Sequence, residues 1–281
     1  MALYNEKANR HPTSSRVTLH AMNPNYTGLV ALGLSLLVFV SVEAKLRPEP
    51  VRIRCLFFIV SIFLAVPSFL FAFYYVHLMP EWEWFYELRS IKGSEFLVLF
   101  LGAALGASAS LLSRRVYGFS LFILLALGSL PYIKPFLSPL PETAFEDRWK
   151  GNACLQSTPS TCGPASICSI LHYLDQTTTE REVARAAYTG STGTEAWYLA
   201  RYAREKGFKT RFRFYDTFIP QAGLPAMVGV RIYGTFHFIA VLKTDGDKIT
   251  FVDPLVGEEC LSLDDFQKRY RFTGFHLWIS K

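Results

Sequence analysis

The sequence predicts a membrane α-helical region of four transmembrane helices followed by an α+β domain. Three observations point there. About half of the 281 residues are apolar and the mean hydropathy is positive, +0.21, high for a water-soluble chain. The apolar residues are unevenly placed: before Pro139 they form long uncharged runs between short charged loops, and after it charges recur every few residues. The later part also carries one helical pattern and several alternating, strand-like ones. The shift divides the chain into a polar tail over 1–25, a helical region over 26–138 and a domain over 141–281.

A spanning helix needs about 20 mainly apolar residues, because in lipid only a helix satisfies its own backbone hydrogen bonds. Four segments qualify, over 26–42, 55–78, 96–112 and 116–133. The third carries Gly102, Ala103, Ala104, Gly106 and Ala107, small residues that let helices approach closely. Only Ser113, Arg114 and Arg115 separate the last two, which predicts a tight helical hairpin. The long polar leader and the three spans that follow argue against reading the first segment as a cleaved signal peptide.

The formal charge of +6 does not indicate a nucleic-acid partner. From Pro141 onward there are 17 Lys and Arg against 16 Asp and Glu, so the excess lies beside the apolar runs and reads as a topology signal. Lys45, Arg47, Arg52 and Arg54 follow the first run, and Arg114 and Arg115 occupy the hairpin. The connection between the second and third runs is longer and acidic, with Glu81, Glu83 and Glu87 beside Trp82, Trp84 and Tyr86. Basic loops face the cytoplasm. Both termini and the α+β domain are then expected on the outer, periplasmic face of a bacterial plasma membrane, although Lys7, Arg10 and Arg16 in the tail pull the other way.

The five cysteines, Cys55, Cys154, Cys162, Cys168 and Cys260, are odd in number and include no CxxC pair, which argues against a zinc site or a disulfide framework. One disulfide among Cys154, Cys168 and Cys260 stays open at this point, given an oxidising compartment. Cys55 and Cys168 read as small core residues.

The chemistry concentrates around Cys162. Ile167, Ile170, Leu171 and Leu174 fall at helical spacing, Pro164 suits a first turn, and Thr161 is positioned as the N-cap. Cys162 therefore starts a helix, where unpaired amides and the positive dipole end favour a thiolate. Gln156 precedes it by six residues on the incoming loop, and its amide suits an oxyanion. A thiolate nucleophile needs a base and the base an orienting group. His237 opens an alternating strand, the polar stretch 244–247 turns the chain, and the returning strand ends in Asp253 and Pro254. Such a hairpin brings Asp253 back beside His237. The sheet is expected to include 226–233, 237–243, 249–252 and 275–280.

This arrangement resembles the C39-like peptidases of the papain-like cysteine peptidase superfamily. The resemblance rests on the Gln-x5-Cys-Gly-Pro-Ala block from Gln156 to Ala165, on His237 and Phe238, and on Asp253, Pro254 and Gly257. Gly193 and Thr194 leading into Lys206, Gly207 and Phe208, and the stretch from Leu261 to Phe266, agree with it. It implies an α+β papain-like fold and a catalytic set of Cys162 as nucleophile, His237 as base, Asp253 as its orienting carboxylate and Gln156 at the oxyanion. Many members have an acidic residue before the cysteine, where this chain has Thr161. Bacteriocin-processing members place the peptidase ahead of a transporter and an ATP-binding domain; here the order is reversed and no P-loop is present.

The expectation is a membrane-anchored cysteine peptidase acting on a peptide or exported protein, with the bilayer as its other partner and no nucleic acid, nucleotide, metal or cofactor. The alternatives are an acyltransferase or transamidase acting on a lipid or lipoprotein through the same thioester, and a non-catalytic membrane scaffold. His172 lies ten residues past Cys162, about 15 Å along the helix, and reads as structural. His276 reads as a packed or surface residue of the closing strand.

Overall fold

The computed structural model describes residues 25–281 apart from His77, Gln221 and Tyr233. The expected polar tail lies outside the described residues except for Asn25. Helix α1 (Tyr26–Leu46), helix α2 (Val51–Tyr75), the short α3 (Glu83–Ser90), helix α4 (Val98–Leu111) behind a 3-10 turn at Ser94–Leu97, and helix α5 (Arg114–Leu137) form the N-terminal region. Among the described residues, three helical stretches, Tyr26–Leu46, Val51–Tyr75 and Ser94–Leu111, are long and apolar enough to cross a membrane. The fourth expected span does not reach that standard: α5 is a full helix, but its apolar stretch covers only Tyr117–Leu130. Pro131 and Lys134 interrupt the apolar run beyond it.

The helices begin and end at other residues than the hydropathy suggests. Arg52 and Arg54 lie within the first turn of α2 instead of a loop, and α5 already includes Arg114 and Arg115. A helix boundary follows from backbone pairing, and Pro50 can open one ahead of an arginine. Arg47 donates to the Ala109 carbonyl at 2.8 Å and Arg54 to that of Ser110 at 2.6 Å, so two of the basic residues satisfy orphan carbonyls at the end of α4.

Helix α4 is the most enclosed of the apolar helices. Its small residues admit α1. A Cβ at Gly102 would lie 2.3 Å from the Ser35 carbonyl oxygen, and one at Gly106 would lie 2.5 Å from that of Phe39. The Ser35 hydroxyl also donates to the Val98 carbonyl at 2.7 Å.

The α+β domain opens with a two-stranded ribbon, β1 (Trp149–Lys150) and β2 (Ala153–Cys154). Helices α6 (Cys162–Tyr173), α7 (Glu180–Ala186) and α8 (Ala196–Glu205) follow. Strands β3 (Lys209–Phe214), β4 (Ala226–Ile232), β5 (Thr235–Asp245), β6 (Lys248–Asp253), β7 (Gly257–Ser262) and, after helix α9 (Leu263–Arg269), β8 (Arg271–Ser280) form one antiparallel sheet in the order β3-β8-β4-β5-β6-β7. All four expected strands lie in it, and β3 and β7 extend it at the two edges.

Alternation along the strands gives the sheet two apolar faces. Phe238, Ala240, Leu242 and Val252 face α6 and α8, whereas Ile239, Val241, Ile249 and Phe251 face α9 through Phe266 and Tyr270. The first of these cores does not stop at the domain. Trp197 of α8 is fully buried against Tyr74 (ring centroids 5.0 Å apart), Phe85 and Tyr86, and Arg89 of α3 stacks 4.2 Å over Phe71 and 5.2 Å over Trp197. The acidic connection expected as a loop is thus a docking helix. Glu83 pairs with Arg213, and Glu87 pairs with Arg204 and accepts from the Phe212 amide at 2.9 Å.

Because a side chain at position 106 has no room against α1, Gly106→Val is expected to destabilise the full chain by roughly 1–3 kcal/mol. In detergent this lowers the thermal unfolding midpoint. Gly33→Ala, where a Cβ meets nothing within 4 Å, leaves the midpoint unlowered.

Candidate active site

Cys162 is the first residue of α6, half-buried, with its helix held against β5 by a hydrogen bond of 3.1 Å from the Ser166 hydroxyl to the Phe238 carbonyl. Thr161 occupies the N-cap position, but its hydroxyl does not cap the helix. It accepts from the Thr158 amide at 3.0 Å and donates back to the Thr158 carbonyl, closing the loop that leads into Cys162.

His237 and Asp253 come from adjacent antiparallel strands. The pairing of Ala240 with Val252 sets Asp253 across from Ile239, so it is a diagonal neighbour of His237 on the same face of the sheet. His237 Nε2 lies 3.0 Å from Asp253 Oδ1, and the pair is buried at 6% and 2% exposure. With Nε2 committed to Asp253, Nδ1 is the nitrogen left for the Cys162 thiol, which lies near enough to the ring to act on its protonation.

Burial alone would push the imidazole pKa down; the hydrogen bonds to Asp253 and Cys162 and their charges outweigh it and raise His237 to about 9. For Asp253, burial acts to raise the carboxyl, yet it is held below its ordinary value by His237, by the Leu255 amide at 2.9 Å and by the Tyr270 hydroxyl at 2.8 Å. Tyr270 is itself pushed up by burial and by the carboxylate beside it, so it stays a donor. The spacing of sequence motifs gives no sign of Tyr270, which follows α9 and reaches Asp253 only through the tertiary fold. The Ser262 N-cap, which accepts from the Asp265 amide at 3.1 Å, is the local signal that starts the helix at whose end Tyr270 sits.

Gln156 is buried, and its main-chain amide donates to the Pro254 carbonyl at 2.9 Å. This ties it to the residue after Asp253. Its Nε2 donates one hydrogen to the Thr158 carbonyl at 2.8 Å, leaving the other uncommitted. The neighbouring Ser157 is gripped by Glu180, a fully buried carboxylate at the start of α7, which accepts from the Ser157 amide at 2.8 Å and from its hydroxyl. Gln156, Pro159, Ile232, Phe236, His237 and Leu255 line a cleft of about 430 Å³ beside these groups.

The remaining candidates fall elsewhere. His172 packs on Trp149 at the far end of α6, and His276 is buried with Nε2 2.9 Å from the Gly223 carbonyl. All five cysteines are free; Cys154 and Cys168 are buried thiols in contact with each other, and Cys260 is exposed.

The peptidase C39 family model matches residues 150–281. An uncharacterized protein of Methanothermobacter marburgensis is 33% identical over 126 residues, 45% of this chain and 86% of that one. The chain belongs to the peptidase C39 family. A second relative, the "Probable functional amyloid protease FapD" of Pseudomonas aeruginosa, is 26% identical over 129 residues, 43% of this chain and 57% of FapD. Among solved structures, the peptidase domain of Streptococcus ComA aligns with a TM-score of 0.39 at 22% identity, covering 45% of this chain and 95% of that one. A double glycine motif protease from an AMS/PCAT transporter, solved with a leader peptide, aligns with a TM-score of 0.40 at 21% identity, covering 48% and 94%.

Two outcomes test the electrostatics. Since the folded His237 value lies above the ordinary 6.5, its pairing adds stability that is complete below about pH 6.5 and fades as pH rises through about 9. The difference in unfolding midpoint between the protein and its His237→Ala variant should shrink over that interval. Tyr270→Phe leaves a buried carboxylate oxygen short of a donor and should cost about 1–3 kcal/mol in thermal unfolding.

Proposed function

We propose that the chain is a membrane-anchored cysteine peptidase of papain-like architecture that cleaves a peptide or exported protein. The arrangement of Asp253 hydrogen-bonded to the His237 ring, with Cys162 beside that ring at the start of α6, carries this reading. In the proposed reaction the thiolate of Cys162, beside the His237 imidazolium, attacks the scissile carbonyl. The oxyanion is held by the second hydrogen of Gln156 Nε2 and by the Cys162 main-chain amide at the α6 N-terminus. His237 passes its proton to the leaving amine, and the C–N bond breaks to give a thioester on Cys162. Water then attacks with His237 as base, releasing the acid and restoring the thiol–imidazole pair. Asp253 keeps the ring oriented, and Tyr270 keeps Asp253 charged.

The division into a helical region over 26–138 and a peptidase domain over 141–281 belongs to this proposal, with α5 as the fourth span. The α+β domain packs at the ends of the helices away from Arg47 and Arg54. A cytoplasmic position for those arginines sets the peptidase on the outer face.

Comparison of membrane fractions carrying the protein or its Cys162→Ala variant should reveal new protein termini that depend on Cys162, with the variant still folded. Gln156→Ala is expected to lower kcat by about 10²–10³-fold with little change in KM. Cleavage should fall off on the alkaline side through about pH 9, as the imidazolium that protonates the leaving amine is lost. Undiminished turnover by Cys162→Ala sinks the proposal.

A further inference from the structure

Helix α8 lies across the ends of the apolar helices. Its contacts fall at intervals of three residues, along one face. Glu195, immediately before it, accepts from the Tyr74 hydroxyl at the end of α2 at 3.3 Å. The Tyr198 hydroxyl accepts at 3.0 Å from Asn25, the residue that caps α1. Arg201 pairs with Glu95 in the turn that opens α4, at 2.8 Å, and donates to the Arg89 and Ile91 carbonyls at 2.9 and 3.0 Å. Arg204 reaches Glu87 of α3. A helix so placed rests on the level where three candidate spans terminate.

The first turn of α6 sits directly on α8. A Cβ on Gly163, the neighbour of Cys162, would meet Leu199 at 2.9 Å. Packed helices lie about 8–10 Å apart, so Cys162 stands roughly one helix layer beyond the span ends. The polar layer of a bilayer is itself roughly 5–8 Å deep on each side. The nucleophile is therefore held at about the outer edge of the headgroup layer.

The surface beside it is apolar. Phe236 and Leu255, which line the cleft, are 46% and 58% exposed. From Phe236 a line of ring contacts runs through Phe238 (4.8 Å) and Phe275 (5.1 Å) to Tyr86 of α3 (6.2 Å). Just before α3, Trp82 stacks on Trp84 at 5.7 Å, both exposed, and Leu78 is more exposed still. Tryptophans at the end of a span mark the membrane–water interface. The intermediate rings are buried, so the cleft is joined through the core to the helix that carries this interfacial tryptophan.

We infer that the substrate is a polypeptide held in the same membrane by its own span or acyl chain, and that the bond cut lies about two to three residues from that anchor. The count follows from the height of Cys162, since an extended residue covers about 3.3–3.6 Å. The inference rests on the peptidase reading and adds where the substrate must come from. It also gives the helical region a task besides tethering: setting the height of the site.

The test uses the full chain in phosphatidylcholine vesicles and peptides with one shared randomised segment. The segment is linked to a palmitoyl anchor through a spacer of about 4 or about 20 flexible residues, or left without an anchor. Both anchored pools concentrate equally on the vesicle, so their difference reports the height of the site. Cys162-dependent cleavage of the short-spacer pool should exceed that of the long-spacer pool by about tenfold, following the fall of effective concentration with linker length. Equal or better cleavage of the long-spacer or unanchored pool overturns the inference. So does cleavage of no pool when a thiol-directed electrophile still labels Cys162 selectively. If Cys162 is not labelled either, the peptidase reading falls with it.

Discussion

A carboxylate withdrawn almost wholly from water has to be given donors, and Asp253 is that carboxylate here. It receives three: the His237 ring, the Leu255 amide and the Tyr270 hydroxyl. Each comes from a different place. The ring arrives on the neighbouring strand, the amide from the chain just beyond β6, and the hydroxyl from the end of α9. Because the cost of leaving any of these sites empty is large, the register of β5 on β6 and the docking of α9 are linked through one side chain. The same arrangement raises His237 and fixes which of its nitrogens is free. Stability and chemistry therefore share a single set of hydrogen bonds.

Cys162 belongs to the other side of the sheet, and it reaches His237 only because α6 is pinned near the start of β5. That face of the sheet is not completed by the domain alone. Trp197, Phe212 and Phe275 are covered in part by Tyr74, Phe85 and Tyr86 from the helical region. The guanidinium of Arg89 closes the junction between aromatic rings. A core that crosses the junction makes a loosely tethered domain a poor description of this molecule. The two parts hold each other in one orientation, and with it the direction in which the cleft opens.

Much of this was legible in the residue pattern, for identifiable reasons. Strand alternation placed His237 at the head of one strand and Asp253 at the end of the next, and a short turn leaves little freedom in how they meet. Helical spacing after Cys162 located α6 correctly. What escaped depends on contacts between distant segments. Glu83 and Glu87 looked like loop charges because nothing local announces that Arg213 and Arg204 will come to them. Tyr270 looked like one aromatic among many. Thr161 has the residue type of a cap, yet its hydroxyl competes for Thr158 instead, as short hydroxyl side chains do. Hydropathy found the helices but not their ends, since arginines enter the first turns of α2 and α5 wherever the backbone allows.

The loop carrying Gln156 shows how such a site is held without an acidic residue ahead of the cysteine. Gln156 is tied through its main chain to Pro254, and Ser157 is tied to Glu180. The loop is thereby fastened at one end to the Asp253 turn and at the other to the start of α7. A carboxylate at position 161 would sit next to the thiol in sequence and oppose its ionisation by simple repulsion. Glu180 supplies a carboxylate to the loop from α7 and engages Ser157, one residue past Gln156, the proposed oxyanion donor. Holding that amide in place before substrate arrives is what makes it useful, because a donor that must reorganise as charge develops gives back much of what it contributes.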